Sequence, residues 1–246
     1  MKRLKLLFFT ILSFFTVQSY SQLTVDNTTL TPEQLVQQIL VGQGVTVSNI
    51  TFNGSAADAQ TLQIQAGTFD GTNSNIGINQ GMMLGTGDIN VAPGPNNSGS
   101  ASMGSPADYQ DPDLNQVSSV TLNDAAVLEF DFVPQGDSVK FNYVFSSEEY
   151  NEYVCSNFND IFAFFLSGPG INGPFTNNAE NIAIIPGSGG TPVAINTLNS
   201  GAPGTFGSAS TCDQIDPNWS TYNTFFVNNE ALGQNTVQYD GFTVPL

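Results

Sequence analysis

An all-β fold, an antiparallel β-sandwich or jelly-roll with one short N-terminal helix, is what this sequence predicts. Three observations lead there. Apolar residues alternate with polar ones at a period of two through several short runs. Gly, Pro, Asn and Ser punctuate those runs with turn chemistry. A content of 40% hydrophobic residues, 19 of them Phe, is also too apolar for a disordered acidic chain.

The helix is signalled first. Thr31 and Gln34 form a capping box, Pro32 takes the first helical position, and Leu30 can staple onto Leu35. Leu35, Val36, Ile39 and Leu40 make its apolar stripe, and Gly42 ends it. Strands are expected over 45–52 and 62–66. In 126–133, Leu128, Phe130 and Phe132 face one side while Glu129 and Asp131 face the other. Val139, Phe141, Tyr143 and Phe145 repeat the pattern, and residues 134–137 (PQGD) between the two runs predict a hairpin. The continuously apolar runs 161–166 and 182–185 predict central strands covered on both faces. Residues 91–113 read as a long polar loop, a length that usually serves function. The run 237–246 ends on strand-like residues whose edge would lie unpaired, which predicts a piece of a longer protein. One domain is expected over 22–246.

Residues 1–21 read as a secretory signal peptide. Lys2, Arg3 and Lys5 precede an apolar run over 6–17, and Ser19 and Ser21 suit a small-residue cleavage site before Gln22. The alternative is a retained N-terminal anchor. The run is shorter than the roughly 20 residues of a membrane-spanning helix, and no later stretch is long and apolar enough to span.

Three of the four basic residues lie in that segment, so Lys140 alone faces 21 Asp and Glu in the remainder. Nucleic-acid binding is excluded, because nothing cationic can displace counterions from phosphate. The acids must stay solvated, accept hydrogen bonds or bind cations. Cys155 and Cys212 fit an exported protein with one disulfide, the alternative being two buried thiols. Zinc is disfavoured, since the chain has no His and no CxxC.

Seven segments, taken in order, resemble the choice-of-anchor L domain. They are 81–100 (GMMLGTGDINVAPGPNNSGS), 111–117 (DPDLNQV), 141–154 (FNYVFSSEEYNEYV), 158–170 (FNDIFAFFLSGPG), 181–187 (NIAIIPG), 192–199, and Tyr239-Asp240-Gly241-Phe242. The resemblance covers roughly residues 40–246. It implies display on the surface of Bacteroidetes-like bacteria, often through type IX secretion, and implies no established catalytic activity. The family's usual final strands and a C-terminal anchor do not follow in this sequence.

The chemistry agrees with that implication. Without His, Ser–His and Cys–His nucleophile pairs are excluded. Glu148 and Glu149, as strand neighbours, would point to opposite faces and could not flank one glycosidic bond; Glu152 or Asp160 would have to supply the second acid. Calcium is the cofactor such acids suit, since hard cations take carboxylate and carbonyl oxygens. Two groups qualify: Asp108, Asp111 and Asp113 in the long loop, and Glu148, Glu149, Asn159 and Asp160 at strand ends, with Glu148, Glu149 and Asp160 favoured. The alternative is solvated loop acids and an Asp-capped strand. Tyr109, Tyr150, Tyr153 and Trp219 lie among polar residues and could stack on sugar rings, the alternative being a place in the core. The function expected is a non-catalytic display or adhesion module whose partner is a surface protein or glycan. A carbohydrate-binding or carbohydrate-cleaving domain is the alternative.

Overall fold

A computed structural model describes residues 22–42, 45–57, 64–118, 120–230 and 236–246; the expected signal peptide over 1–21 lies outside them. The opening helix forms where its capping box places it. Thr31 Oγ1 accepts from the Gln34 N–H at 3.2 Å, and the Thr31 N–H donates to Gln34 Oε1 at 3.0 Å. α1 (Pro32–Leu35) then widens into a π-helical turn over Val36–Leu40. The wider turn carries Ile39 off the apolar stripe. Leu35 and Val36 are fully buried, whereas Ile39 is 40% exposed.

The strands are short, as turn residues at such close spacing require. They are β1 (Thr24–Asp26), β2 (Thr46–Phe52), β3 (Ser55–Ala56), β4 (Ala66–Asp70), β5 (Gln80–Leu84), β6 (Leu128–Val133) and β7 (Ser146–Ser147). β8 (Ile161–Phe162), β9 (Phe165–Leu166), β10 (Glu180–Asn181), β11 (Val193–Ala194), β12 (Phe226–Asn228) and β13 (Gly241–Thr243) follow. All pair antiparallel, in small sheets ordered β1-β4-β5, β3-β2-β6, β12-β13-β7, β11-β8 and β10-β9. The chain is therefore mostly β, with few helices.

The expectation of a single helix is corrected. α2 (Pro112–Val117) starts where Asp111 accepts from the Leu114 N–H and Pro112 fills the first turn. α3 (Ala209–Ile215) buries Cys212 against the core, and a 3₁₀ stretch over Trp219–Phe225 buries Trp219 and Tyr222.

β6 keeps the period of two read from its sequence: Leu128, Phe130 and Phe132 are half-buried while Glu129 and Asp131 are exposed. Its ladder partner is β2, which bulges between Ser48 and Thr51, where Asn49 sits at φ 53°. The predicted hairpin with 139–145 is a second correction. That segment turns away to the C-terminal residues instead: Tyr143 and Leu246 exchange two backbone hydrogen bonds of 3.1 and 3.0 Å, and the Thr243 N–H donates to Phe145 O at 2.8 Å. Aromatic contact draws it there, because the Phe141 and Tyr143 rings lie 4.5 and 4.7 Å from those of Phe164 and Phe162. The edge expected to lie open near the chain end is covered, since β13 sits between β12 and β7.

The apolar runs 161–166 and 182–185 are not covered on both faces. Ile161, Phe162, Phe165 and Leu166 are half-buried, and Ile182 and Ile184 are exposed while Ala183 and Ile185 are buried. One face of these two-stranded ribbons therefore meets solvent.

Tyr150, Val154, Cys155, Ile195, Cys212 and Trp219 form one buried cluster, with Phe145 and Phe226 packed against it. The expected disulfide lies inside it: Cys155 and Cys212 are bonded, their Cα atoms 5.0 Å apart across 57 residues of sequence. Backbone hydrogen bonds reinforce the join. Gly204 N–H donates to Val154 O, Phe206 N–H to Glu152 O and Ser208 N–H to Cys155 O, each at 2.9 Å. By the loop-closure argument, replacing both cysteines (Cys155→Ala with Cys212→Ala) costs about 4 kcal/mol of unfolding free energy. Denaturant titration of the oxidised parent and the double variant measures this, and a loss under about 1 kcal/mol contradicts it.

Candidate functional site

Beyond β7 the chain leaves the sheet through a turn that Ser147 organises. Its hydroxyl accepts from the Glu149 N–H at 2.9 Å and donates to Asp160 Oδ2 at 2.7 Å. The Tyr153 N–H then donates to Glu149 O at 3.1 Å, drawing the turn together. A turn rather than an extended strand changes the geometry of the acids. It brings Glu152 close enough for its charge to act on both Glu148 and Glu149.

Long-range contacts complete the group. Glu148 Oε2 accepts from the Ala101 N–H at 2.9 Å. Asp240, immediately before β13, is only 2% exposed, and its Oδ1 accepts from Asn96 Nδ2 at 2.6 Å. The carboxylate oxygens of Glu152, Glu230 and Asp240 lie within 4.8 Å of one another. Four carboxylate oxygens here are buried with no hydrogen-bond partner: Glu148 Oε1, Glu149 Oε2, Glu152 Oε2 and Asp240 Oδ2. The side-chain amide of Asn151 is likewise unpartnered. Burial pushes Glu148 up to about 7, and the charges of Asp240 and Glu152 add to it. Burial pushes Asp240 up to about 6, with Glu152 and Glu230 contributing. Glu149 is raised by burial and by the charges of Asp160 and Glu152.

The favoured sequence set is thus gathered around one turn, with Glu149 facing Asp160 and Glu148 facing Asp240. Asp160 is exposed as a residue, yet its carboxyl is shielded enough that burial raises it, with the Ser147 hydroxyl as its donor. Asn159 is buried, and its Oδ1 accepts from the Asn196 N–H at 2.9 Å. The loop acids are not gathered with them. Asp108 accepts from the Asp124 N–H and from Gln110, Asp111 caps α2, and Asp113 accepts from both the N–H and the hydroxyl of Thr176.

Two of the four stacking candidates are corrected. Tyr150 is fully buried and its hydroxyl donates to Leu198 O at 2.6 Å, while Trp219 is buried with its indole N–H donating to Asp213. Both belong to the disulfide core, where they pack with Val154, Cys155, Ile195 and Cys212. Tyr109 is half-buried, with its hydroxyl over Gly54. Tyr153 keeps an outward role. It stacks on Phe206 at 5.1 Å and meets Phe158 edge-on at 5.0 Å, and those two rings are 65% and 60% exposed. Sequence reading gave Phe158, Phe206, Glu230 and Asp240 no role at a site, although Phe158 and Asp240 stand in segments that carry the family resemblance. For Phe206 the one signal was a lone phenylalanine among Gly, Thr and Ser.

Two surface pockets of about 240 and 280 Å3 open elsewhere, one beside Glu33 and Ala57, the other between Leu40, Phe132 and Phe141. Neither is lined by the clustered acids.

Glu148 and Asp240 make the metal-free fold sensitive to pH. A carboxyl whose folded pKa is raised contributes stability that is fully present below its unfolded value, near 4, and is lost as pH rises through 6 to 7. The thermal midpoint in metal-free buffer should therefore fall between pH 5 and pH 7.5, and Glu148→Gln should flatten the fall. A midpoint constant across that range contradicts the assignment.

The family model for the choice-of-anchor L domain matches residues 24–246, nearly the whole chain. No curated protein and no solved structure matches it. Together with the β-rich fold and the disulfide, the extent of that match leads to one conclusion: this chain belongs to the choice-of-anchor L domain family.

Proposed function

We propose that the chain is a non-catalytic display or adhesion module, sandwich-like in its β architecture, exported through a signal peptide and stabilised by calcium at its buried acids. The family match over residues 24–246 carries the reading. Acidity supports it, because one lysine beyond residue 5 against 21 acids leaves no surface for nucleic acid and favours solubility outside the cell. The disulfide supports an oxidising compartment. Among the described residues no helix is long and apolar enough to cross a membrane. The partner is a surface protein or a glycan, and a type IX secretion route fits the family.

A second reading, carbohydrate binding, is favoured by one observation: the Tyr153, Phe206 and Phe158 rings form an exposed aromatic group. Rings held against solvent offer faces for sugar C–H groups.

Labelling intact producing cells with antibody against the purified chain tests display. Signal on intact cells, removed by external protease, is expected; signal appearing only after permeabilisation contradicts it. A glycan array followed by assay for released reducing ends separates the two readings. Sugar binding that Phe206→Ala abolishes at unchanged thermal midpoint would favour the glycan reading, and turnover would overturn the non-catalytic one.

A further inference from the structure

We infer that Glu152, Glu230 and Asp240 bind one calcium ion beside Gly99, with Glu148 as a fourth carboxylate at its edge. This deepens the calcium element of the function proposed above and moves its centre away from Asp160. Oxygens that share one calcium lie 2.3–2.6 Å from it, hence no more than about 5 Å from each other. The three carboxylates meet that limit, with donor atoms within 4.8 Å.

Proximity of acids alone proves little. The independent observation is Asp240, only 2% exposed, with Oδ2 satisfied by no donor. Another buried aspartate is not left so. Asp216, 7% exposed, accepts from the Thr191 hydroxyl, the Tyr222 hydroxyl and the Asn218 N–H. A chain that supplies three donors to one buried aspartate and a single asparagine to another has a different partner for the second. Glu152 Oε2 and Glu148 Oε1 are orphaned at the same place. Among the described residues Lys140 is the one Lys or Arg; it lines the pocket with Phe132 and Phe141 and is not among the groups acting on Glu148 or Asp240.

The backbone comes close to the acids at Gly99. A Cβ built there would stand 3.1 Å from Glu152 Oε1 and 3.5 Å from Asp240 Oδ2, so a residue without a side chain lets the 96–101 strap lie against both oxygens. The donor set is all oxygen. Both cysteines are bonded to each other and the chain has no His, which removes the ligands that softer metals prefer. The ion would join four stretches distant in sequence: the 96–101 strap, the 148–152 turn, the end of β12 and the start of β13.

Calorimetric titration of calcium chloride into the purified, chelator-washed chain tests this, with thermal melts in parallel. One-to-one binding with a raised midpoint is expected. Asp240→Asn and Glu152→Gln should each weaken binding by more than about tenfold, at least the loss that removing an outer-shell partner brings. Asp113→Asn should leave it unchanged. Should the Asp240 variant unfold on its own account, Gly99→Ala keeps every carboxylate and should still weaken binding, because its methyl crowds the ion. Unaltered affinity in Asp240→Asn and Glu152→Gln, or loss on Glu149→Gln with Asp160→Asn instead, overturns this ligand set. No heat and no midpoint shift at millimolar calcium overturns it together with calcium stabilisation. Cell-surface labelling is unaffected by any of these results, so failure of the site and failure of the display reading are told apart.

Discussion

Carboxylates in this protein have almost nothing of opposite charge to meet: beyond residue 5 there are 21 of them and one lysine. Several are satisfied by hydrogen-bond donors instead. Asp26 accepts from the N–H and hydroxyl of both Thr28 and Thr29, and those bonds, led by the Thr29 hydroxyl, hold it down to about 2. Asp70 is held down by the Thr72 hydroxyl and N–H. Asp88 accepts from Asn27 and Asn90, and Asp113 from Thr176. The bonds of Asp26 and Asp70 fix turns beyond strand ends, while those from Asn27 to Asp88 and from Thr176 to Asp113 tie together loops distant in sequence. The loops are thereby as firmly tied as the sheets, which lets strands of two or three residues suffice.

What the sequence revealed follows from how local each signal is. The capping box of Thr31 and Gln34 and the alternation of 128–133 are contained within a few residues, and both form as read. Asp111-Pro112 carried an equally local helix start, yet its aspartates were read as metal ligands because an acid-rich loop offers both meanings. The pairing of 143–147 with 241–246 was beyond reach, since alternation identifies a strand and says nothing of its partner. The acid cluster was half legible for the same reason. Glu148, Glu149 and Glu152 share one turn and can be read together, whereas Asp240 and Glu230 arrive through the β12–β13 pairing.

The turn over 148–156 shows how one short segment serves several ends. Tyr150 and Cys155 point into the core, Glu148 and Glu152 toward the orphaned oxygens, and Tyr153 outward to Phe206. Asn196 holds the turn from beneath, accepting from the Cys155 N–H and donating to Ser156 O. A surface-associated module of the choice-of-anchor L family therefore carries its acids and its exposed rings on one covalently clipped support.

The place of β13 also bears on the order of events during synthesis. It is the middle strand of its sheet, and residues 143–147 find their backbone partners in 241–246. A ribosome must therefore release those late residues before that sheet can close, while β1-β4-β5 and β3-β2-β6 can pair from residues 24–133 alone. Pairings so distant form slowly. Such lateness leaves residues 143–147 unpaired for as long as 241–246 have yet to arrive.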